Sequence, residues 1–124
     1  MVKVSRGDVV LCDLNPVVGT EQSGIRPVVI VQIDRVNNVS PHTIIVPCTS
    51  KIRSALLPSH VVIPMRTAGL PLDSVILCEQ VRVIDTRRIQ KVIGHLSEEK
   101  MDDISAALSL ILGIPPPAIP SSGG

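Results

Sequence analysis

Apolar residues along this chain fall into short runs separated by polar, proline- and glycine-bearing stretches, and before residue 97 none of the runs has a helical period. Asp8–Leu14 (DVVLCDL) is a β-prone run closed by Asn15-Pro16. After a loop with turn signals at Gly19 and Gly24, Arg26-Pro27 opens VVIVQI, whose β-branched residues predict a central strand. Pro27 fits only at the start of that strand, where a missing N–H is tolerated. Asp34–Pro41, with Asn37-Asn38 and Ser40-Pro41, reads as a turn. Thr43–Thr49 (TIIVPCT) is a third strand, and Pro47 inside it points to an edge position or a bulge. Ser50–Ser59 is a polar, basic loop, His60–Pro64 a fourth strand, and Thr67–Asp73 another turn. Ser74–Ile84 (SVILCEQVRVI) reads as the fifth and longest strand, its alternation placing Glu79 and Val81 on one face and Gln80 and Arg82 on the other. Asp85–Ile89 has room for one helical turn before a short last strand over Lys91–Leu96.

The period then changes. Ser97 is a good N-cap, with Glu98 and Glu99 in the first turn, where the helix dipole favours negative charge. Leu96 and Met101 take the two positions of a hydrophobic staple. Met101, Ile104, Ala107, Leu108, Ile111 and Leu112 form one apolar stripe, and Gly113 with Pro115-Pro116-Pro117 ends the helix. Five or six short strands and one C-terminal helix predict a mainly β fold: a small, strongly bent antiparallel sheet or barrel capped by the helix. Residues 1–114 make one domain, and 115–124 a Pro/Ser/Gly-rich flexible tail.

Composition sharpens this picture at two points. The chain has no Phe, Trp or Tyr among 124 residues, so its core is built from Val, Ile, Leu, Met, Ala and Cys. Nucleobases stacked on an aromatic platform are thereby excluded for the monomer, whereas stacking on Arg planes is not. The net charge of +1 hides an asymmetry: residues 1–96 carry 11 basic and 7 acidic groups, a balance of +4, and residues 97–124 carry 1 and 4, a balance of −3. Arg26, Lys51, Arg53, Arg66, Arg82, Arg87 and Arg88 cluster near loops, compatible with a phosphate-bearing ligand. No run approaches the ~20 apolar residues of a membrane span and the start lacks a signal-peptide core, so the expected location is the cytoplasm, with no membrane partner.

Familiar catalytic devices are missing. His42, His60 and His95 have no spaced Cys, Asp or Glu partners of zinc-site type, so no metal is expected, and no glycine pattern supports a nucleotide or other cofactor. Cys12, Cys48 and Cys78 lie in or beside apolar runs without CxxC spacing and read as buried, reduced thiols. Asn15–Pro27 is longer than a hairpin needs and concentrates Thr20, Glu21, Gln22 and Ser23 before Arg26. Thr49-Ser50-Lys51 and Glu79-Gln80-Val81-Arg82 are two further polar clusters. Taken singly, the three are a solvated loop, a turn and a solvated strand face.

Taken in order, they mean more. GDVVLCDLNPVVGTEQSGIRPVVIVQ, VPCTSK, LPSHVVIP, DSVILCEQVRVID and GHLS before a helix resemble the MazF/PemK family of toxin endoribonucleases from about Arg6 to Gly113. The departures are Val10 and Leu11, where the family often carries aromatics in the first strand, and the Pro-rich tail. The resemblance implies a small SH3-like (CcdB/MazF-type) barrel that forms a homodimer and cuts single-stranded RNA (mRNA) at short sequences without a metal. It also implies silencing by a small acidic antitoxin, with DNA engaged only indirectly through the antitoxin complex. By motif position, the catalytic arginine falls on Arg26 and the catalytic hydroxyl on Thr49. The substrate-binding positions fall on Thr20, Glu21, Gln22, His60 and Gln80, with Ser50 beside Thr49. The implied reaction uses the substrate's 2′-OH as nucleophile and leaves a 5′-OH with a 2′,3′-cyclic phosphate or the 3′-phosphate derived from it. Three roles are open to Glu21: orienting Arg26, reading a base edge, or accepting the 2′-OH proton. Two alternatives stand beside this reading: a non-nuclease toxin of the same barrel that binds a protein such as DNA gyrase, and a catalytically silent RNA-binding module.

Overall fold

The apolar runs are continuous because both faces of the sheet they build are covered. The computed structural model describes residues 3–51 and 56–115. Within them run β1 (Asp8–Asp13), β2 (Ile25–Ile30), the helical turn α1 (Asp34–Asn37), β3 (His42–Thr49), β4 (His60–Ile63), β5 (Ser74–Leu77), β6 (Arg82–Asp85), β7 (Ile89–His95) and α2 (Glu98–Ile111). Every strand pair is antiparallel, in the spatial order β4-β5-β3-β2-β1-β7, and β6 also pairs with β3. β4 and β7 end the order without meeting, so the expected barrel is a bent sheet that stays open. Two register shifts where β1 meets β7 contribute to the bend.

Strand alternation divides the core in two. Val9, Val29, Val46 and Cys48 point to one side, where Met101, Ile104 and Ala107 of α2 cover them. Their neighbours Val10, Val28, Ile30 and Ile45 point to the other and meet Leu14, Ile84 and Ile89. Ser97 caps α2 as expected, its hydroxyl accepting the Lys100 N–H at 3.2 Å, and both staple residues, Leu96 and Met101, are buried. The stripe covers less than expected, because Ile111 and Leu112 are exposed at the end of the helix. No helix among the described residues is long and apolar enough to cross a membrane.

Several boundaries differ from the sequence reading. β3 is interior rather than an edge: one side pairs with β2, and the other with β6 over His42–Ile45 and with β5 over Cys48–Thr49. Pro47 stands between those two stretches, where neither partner is in register and a missing N–H is tolerated. The long strand expected over Ser74–Ile84 is two strands, β5 and β6, joined by a 3₁₀ turn over Cys78–Gln80. Glu79 and Gln80 therefore do not lie on opposite faces of a strand. β2 and β7 begin earlier than expected, at Ile25 and Ile89, and Asp34–Pro41 contains the α1 turn. The turn before β7 is present as a 3₁₀ turn over Thr86–Arg88, with the Asp85 carboxylate accepting the Arg87 N–H at 2.8 Å. Arg53 and residues 116–124 of the expected tail lie outside the described residues.

Candidate functional site

The loop between β1 and β2 is pinned at its base. Gly24 closes it in the left-handed region (φ +77°), its carbonyl accepting the Leu14 N–H at 3.0 Å and its N–H reaching Asn15 Oδ1 at 3.1 Å. Arg82 donates to the Leu14 carbonyl at 3.1 Å, and Arg88 to the carbonyls of Asp13 (3.3 Å) and Asn15. Two of the arginines expected to offer charge to a ligand thus spend donors on the loop base. Arg87 pairs with Asp85 at 2.9 Å.

Higher in the loop, Glu21 Oε1 accepts the Val18 N–H at 3.0 Å, and the Gln22 N–H donates to Gln80 Oε1 at 3.0 Å. Arg26 stands exposed on β2, its Nε–H donating to the Ser23 carbonyl at 3.0 Å. That bond turns the guanidinium, and among the described residues its two NH₂ groups make no hydrogen bond. In this arrangement the Ser23 carbonyl orients Arg26, while Glu21 accepts the Val18 N–H. Across the sheet, β3 ends at Thr49, whose Oγ accepts the Lys51 N–H at 3.1 Å and so keeps its own proton to donate.

Three adjoining concavities gather the expected residues. A cleft of about 380 Å³ is lined by Thr20, Gln22, Thr49, His60, Glu79 and Gln80, with Leu56, Leu57, Val75 and Leu77 as its apolar wall. A smaller one of about 120 Å³ holds Arg26, Thr49 and Ser50 against Pro71 and Leu72. Glu21 lines a third, of about 220 Å³, which shares Gln22 and Gln80 with the first. Thr49 belongs to both of the first two, so it separates the arginine from the polar cleft. All eight expected residues are brought to one surface.

His60 is mostly enclosed, and both of its nitrogens are in use. The Leu57 N–H donates to Nδ1 at 3.1 Å, which places the ring proton on Nε2, 3.0 Å from Glu79 Oε2. Glu79 Oε1 accepts the Ser59 hydroxyl at 2.9 Å. Burial pushes the Glu79 carboxyl up, but the hydrogen bonds it accepts from His60, its own backbone N–H and Ser59 outweigh it, and the group ends below its ordinary value. The thiols beside these residues are inert: burial pushes Cys48 and Cys78 up to about 12, and Cys12 to about 11. Among the described residues, no three His, Cys, Asp or Glu side chains form a group able to hold a metal ion.

The family described as PemK-like, MazF-like toxin of type II toxin-antitoxin system matches residues 5–112. The chain belongs to this family. Endoribonuclease EndoA of Bacillus subtilis is 47% identical over 111 residues, spanning 90% of this chain and 96% of the relative. Among solved structures, MazF from Deinococcus radiodurans superposes with a TM-score of 0.79 at 24% identity, over 92% of this chain and 100% of that one. A mycobacterial endoribonuclease in complex with its cognate antitoxin superposes with a TM-score of 0.75, also at 24% identity, over 92% and 99%.

Two elements of this candidate site escaped the sequence reading. Glu79 was expected on a solvated strand face, yet it lines the cleft and holds His60. The one signal available was a carboxylate interrupting an apolar run. The Leu56-Leu57 wall and Ser59 lay inside a stretch that looked like an ordinary polar loop.

Proposed function

We propose that this chain, an endoribonuclease toxin of the PemK/MazF type, cuts single-stranded RNA across Thr49, with the scissile phosphate on the Arg26 side and flanking nucleotides in the polar cleft. The observation that carries this is the shared position of Thr49, which lines the Arg26 concavity and the cleft at once. The substrate's 2′-OH attacks the adjacent phosphorus, the P–O5′ bond breaks, and the leaving oxygen takes a proton to become the 5′-OH. The other fragment keeps a 2′,3′-cyclic phosphate. The two NH₂ groups of Arg26 match the phosphoryl oxygens, on which negative charge grows, and the Thr49 hydroxyl adds a third donor. Thr20, Gln22, Ser50, His60 and Gln80 bind the strand, and Glu21 either reads a base edge or takes the 2′-OH proton.

These donors supply the charge stabilisation from the chain itself, so cleavage is expected without a divalent ion. Purified protein should cut single-stranded RNA in excess EDTA and spare the same sequence in a duplex. Activity that vanishes in EDTA and returns with a divalent cation overturns the mechanism. The working form is a homodimer in the cytoplasm, supported by exposed apolar side chains such as Leu110 and Leu112, at 61% and 55%. Its partner is a small acidic antitoxin, through which alone it reaches DNA; the mycobacterial structure shows a likeness of this fold with its cognate antitoxin.

A further inference from the structure

The cleft has two walls that do not hold each other. One is the β1–β2 loop with Thr20 and Gln22, and the other is the approach to β4 with Ser59 and His60. Among the described residues no hydrogen bond links these walls directly, and each is tied instead to the 3₁₀ turn Cys78–Gln80. Gln80 Oε1 takes the Gln22 N–H at 3.0 Å. Glu79 takes the Ser59 hydroxyl at 2.9 Å and the His60 Nε2–H at 3.0 Å, while the Ser59 carbonyl accepts the Cys78 N–H at 3.3 Å. The turn is itself fixed, because the Cys78 side chain is fully buried in the core beneath α2 and the Val81 N–H closes on the Cys78 carbonyl at 3.2 Å.

We propose that this turn is the latch that sets the width of the cleft, with Glu79 and Gln80 as positioning residues for its opposite walls. The two side chains divide the work by chemistry. A backbone N–H can only donate, so Gln80 must present its oxygen to Gln22, and its NH₂ group is left to donate to a ligand. Both Glu79 oxygens are engaged by protein donors, and the one facing His60 holds the ring in the orientation whose tautomer the Leu57 N–H sets at Nδ1. The consequence for RNA rests on the function proposed above, whereas the latch is a property of the free protein and is tested there.

The test uses amide hydrogen exchange and imidazole ¹⁵N spectra of the RNA-free protein, followed by cleavage kinetics on a short single-stranded RNA. In Gln80→Leu the Gln22 amide should exchange about tenfold faster, the scale of one lost hydrogen bond, with the His60 tautomer unchanged. Gln80→Glu, which still offers an acceptor, should restore the protection. Glu79→Leu should do the reverse, leaving Gln22 protected while the His60 Nε2–H, its acceptor gone, exchanges faster and its ¹⁵N resonance shifts. Both leucine variants should raise KM for RNA more than they lower kcat. Wild-type exchange at Gln22 in Gln80→Leu, or an unmoved His60 Nε2–H resonance in Glu79→Leu, overturns the latch. If Gln80→Leu fails to fold, Gln80→Glu decides: a protected Gln22 amide supports the latch and a fast one overturns it. If both spectroscopic signatures move as expected and RNA kinetics do not, the latch stands and the reading of the cleft as the RNA site falls.

Discussion

The Ser23 carbonyl that accepts the Nε–H of Arg26 leaves the guanidinium exposed and two-pronged. Its role can therefore be separated from its charge. Arg26→Lys keeps the cation but loses the planar pair of donors matched to phosphate oxygens, so it should be nearly as damaging as Arg26→Ala. Losing a donor aimed at transition-state charge costs ~10²–10³ in rate. Thermal unfolding should barely move, because no core packing depends on an exposed side chain. A lysine variant keeping a tenth or more of wild-type cleavage would reduce Arg26 to a simple positive charge. Glu79 makes the opposite case, a residue whose ionisation is tied to folding. Its carboxyl lies below its ordinary value in the folded state, where hydrogen bonds from His60 and Ser59 outweigh burial. The unfolded chain then binds the proton more readily, so stability from this group is complete above the ordinary carboxylate range. It is lost as pH falls through the lowered folded value. Denaturant titrations of wild type and Glu79→Gln should accordingly diverge at pH 7 and converge on acidification. A gap independent of pH would mean that the carboxylate's charge contributes nothing.

Elements formed by local rules were legible in the sequence; those decided by distant partners were not. β1, β3 and β4 appear where alternating or β-branched runs end in turn residues, and α2 starts where Ser97, Leu96 and Met101 place it, since caps and staples act within a few residues. The break between β5 and β6 left no such mark. It arises because β3 takes one partner over His42–Ile45 and another over Cys48–Thr49, a choice invisible in SVILCEQVRVI. The site was readable only as an ordered set of segments, because Arg26, Thr49 and Gln80 lie far apart in sequence and are gathered by β3, which pairs with β2 on one side and with β5 and β6 on the other. A similar long-range constraint fixes the turn before β5. Gly69 sits at φ +81°, and a Cβ there would lie 2.1 Å from the Ile93 carbonyl oxygen of β7. Backbone cannot yield as a flexible side chain does, so Gly69→Ala suffers strain and collision together. The expected loss is about 2–4 kcal/mol, read as a lower denaturant midpoint with the far-ultraviolet spectrum retained. A change below about 0.5 kcal/mol would show that the turn can lift away from β7 without cost.

Across the whole molecule, the +4 balance of residues 1–96 is shared among arginines with different numbers of donors left for a ligand. Arg82 and Arg88 are committed to the base of the β1–β2 loop and Arg87 to Asp85, while Arg26 and Lys51 stand exposed at the concavities around Thr49. That surface therefore offers an anionic chain two exposed cations beside Thr49, in addition to the exposed Lys3, Arg35, Arg66 and Lys91 elsewhere. RNA presents phosphates to it, and an extended acidic segment of an antitoxin presents carboxylates, so both should be drawn to the same place. The two should compete: adding the cognate antitoxin should displace a fluorescent, cleavage-resistant RNA from the protein in proportion to occupancy. Raising the salt should weaken both complexes, because exposed charges are screened beyond about 8 Å at physiological ionic strength. An Arg26→Ala variant should lose affinity for both ligands, which distinguishes a shared surface from two sites coupled at a distance. A ternary complex of toxin, RNA and antitoxin, formed without loss of affinity for either, would place the antitoxin elsewhere on the fold and leave the inhibition to a conformational route.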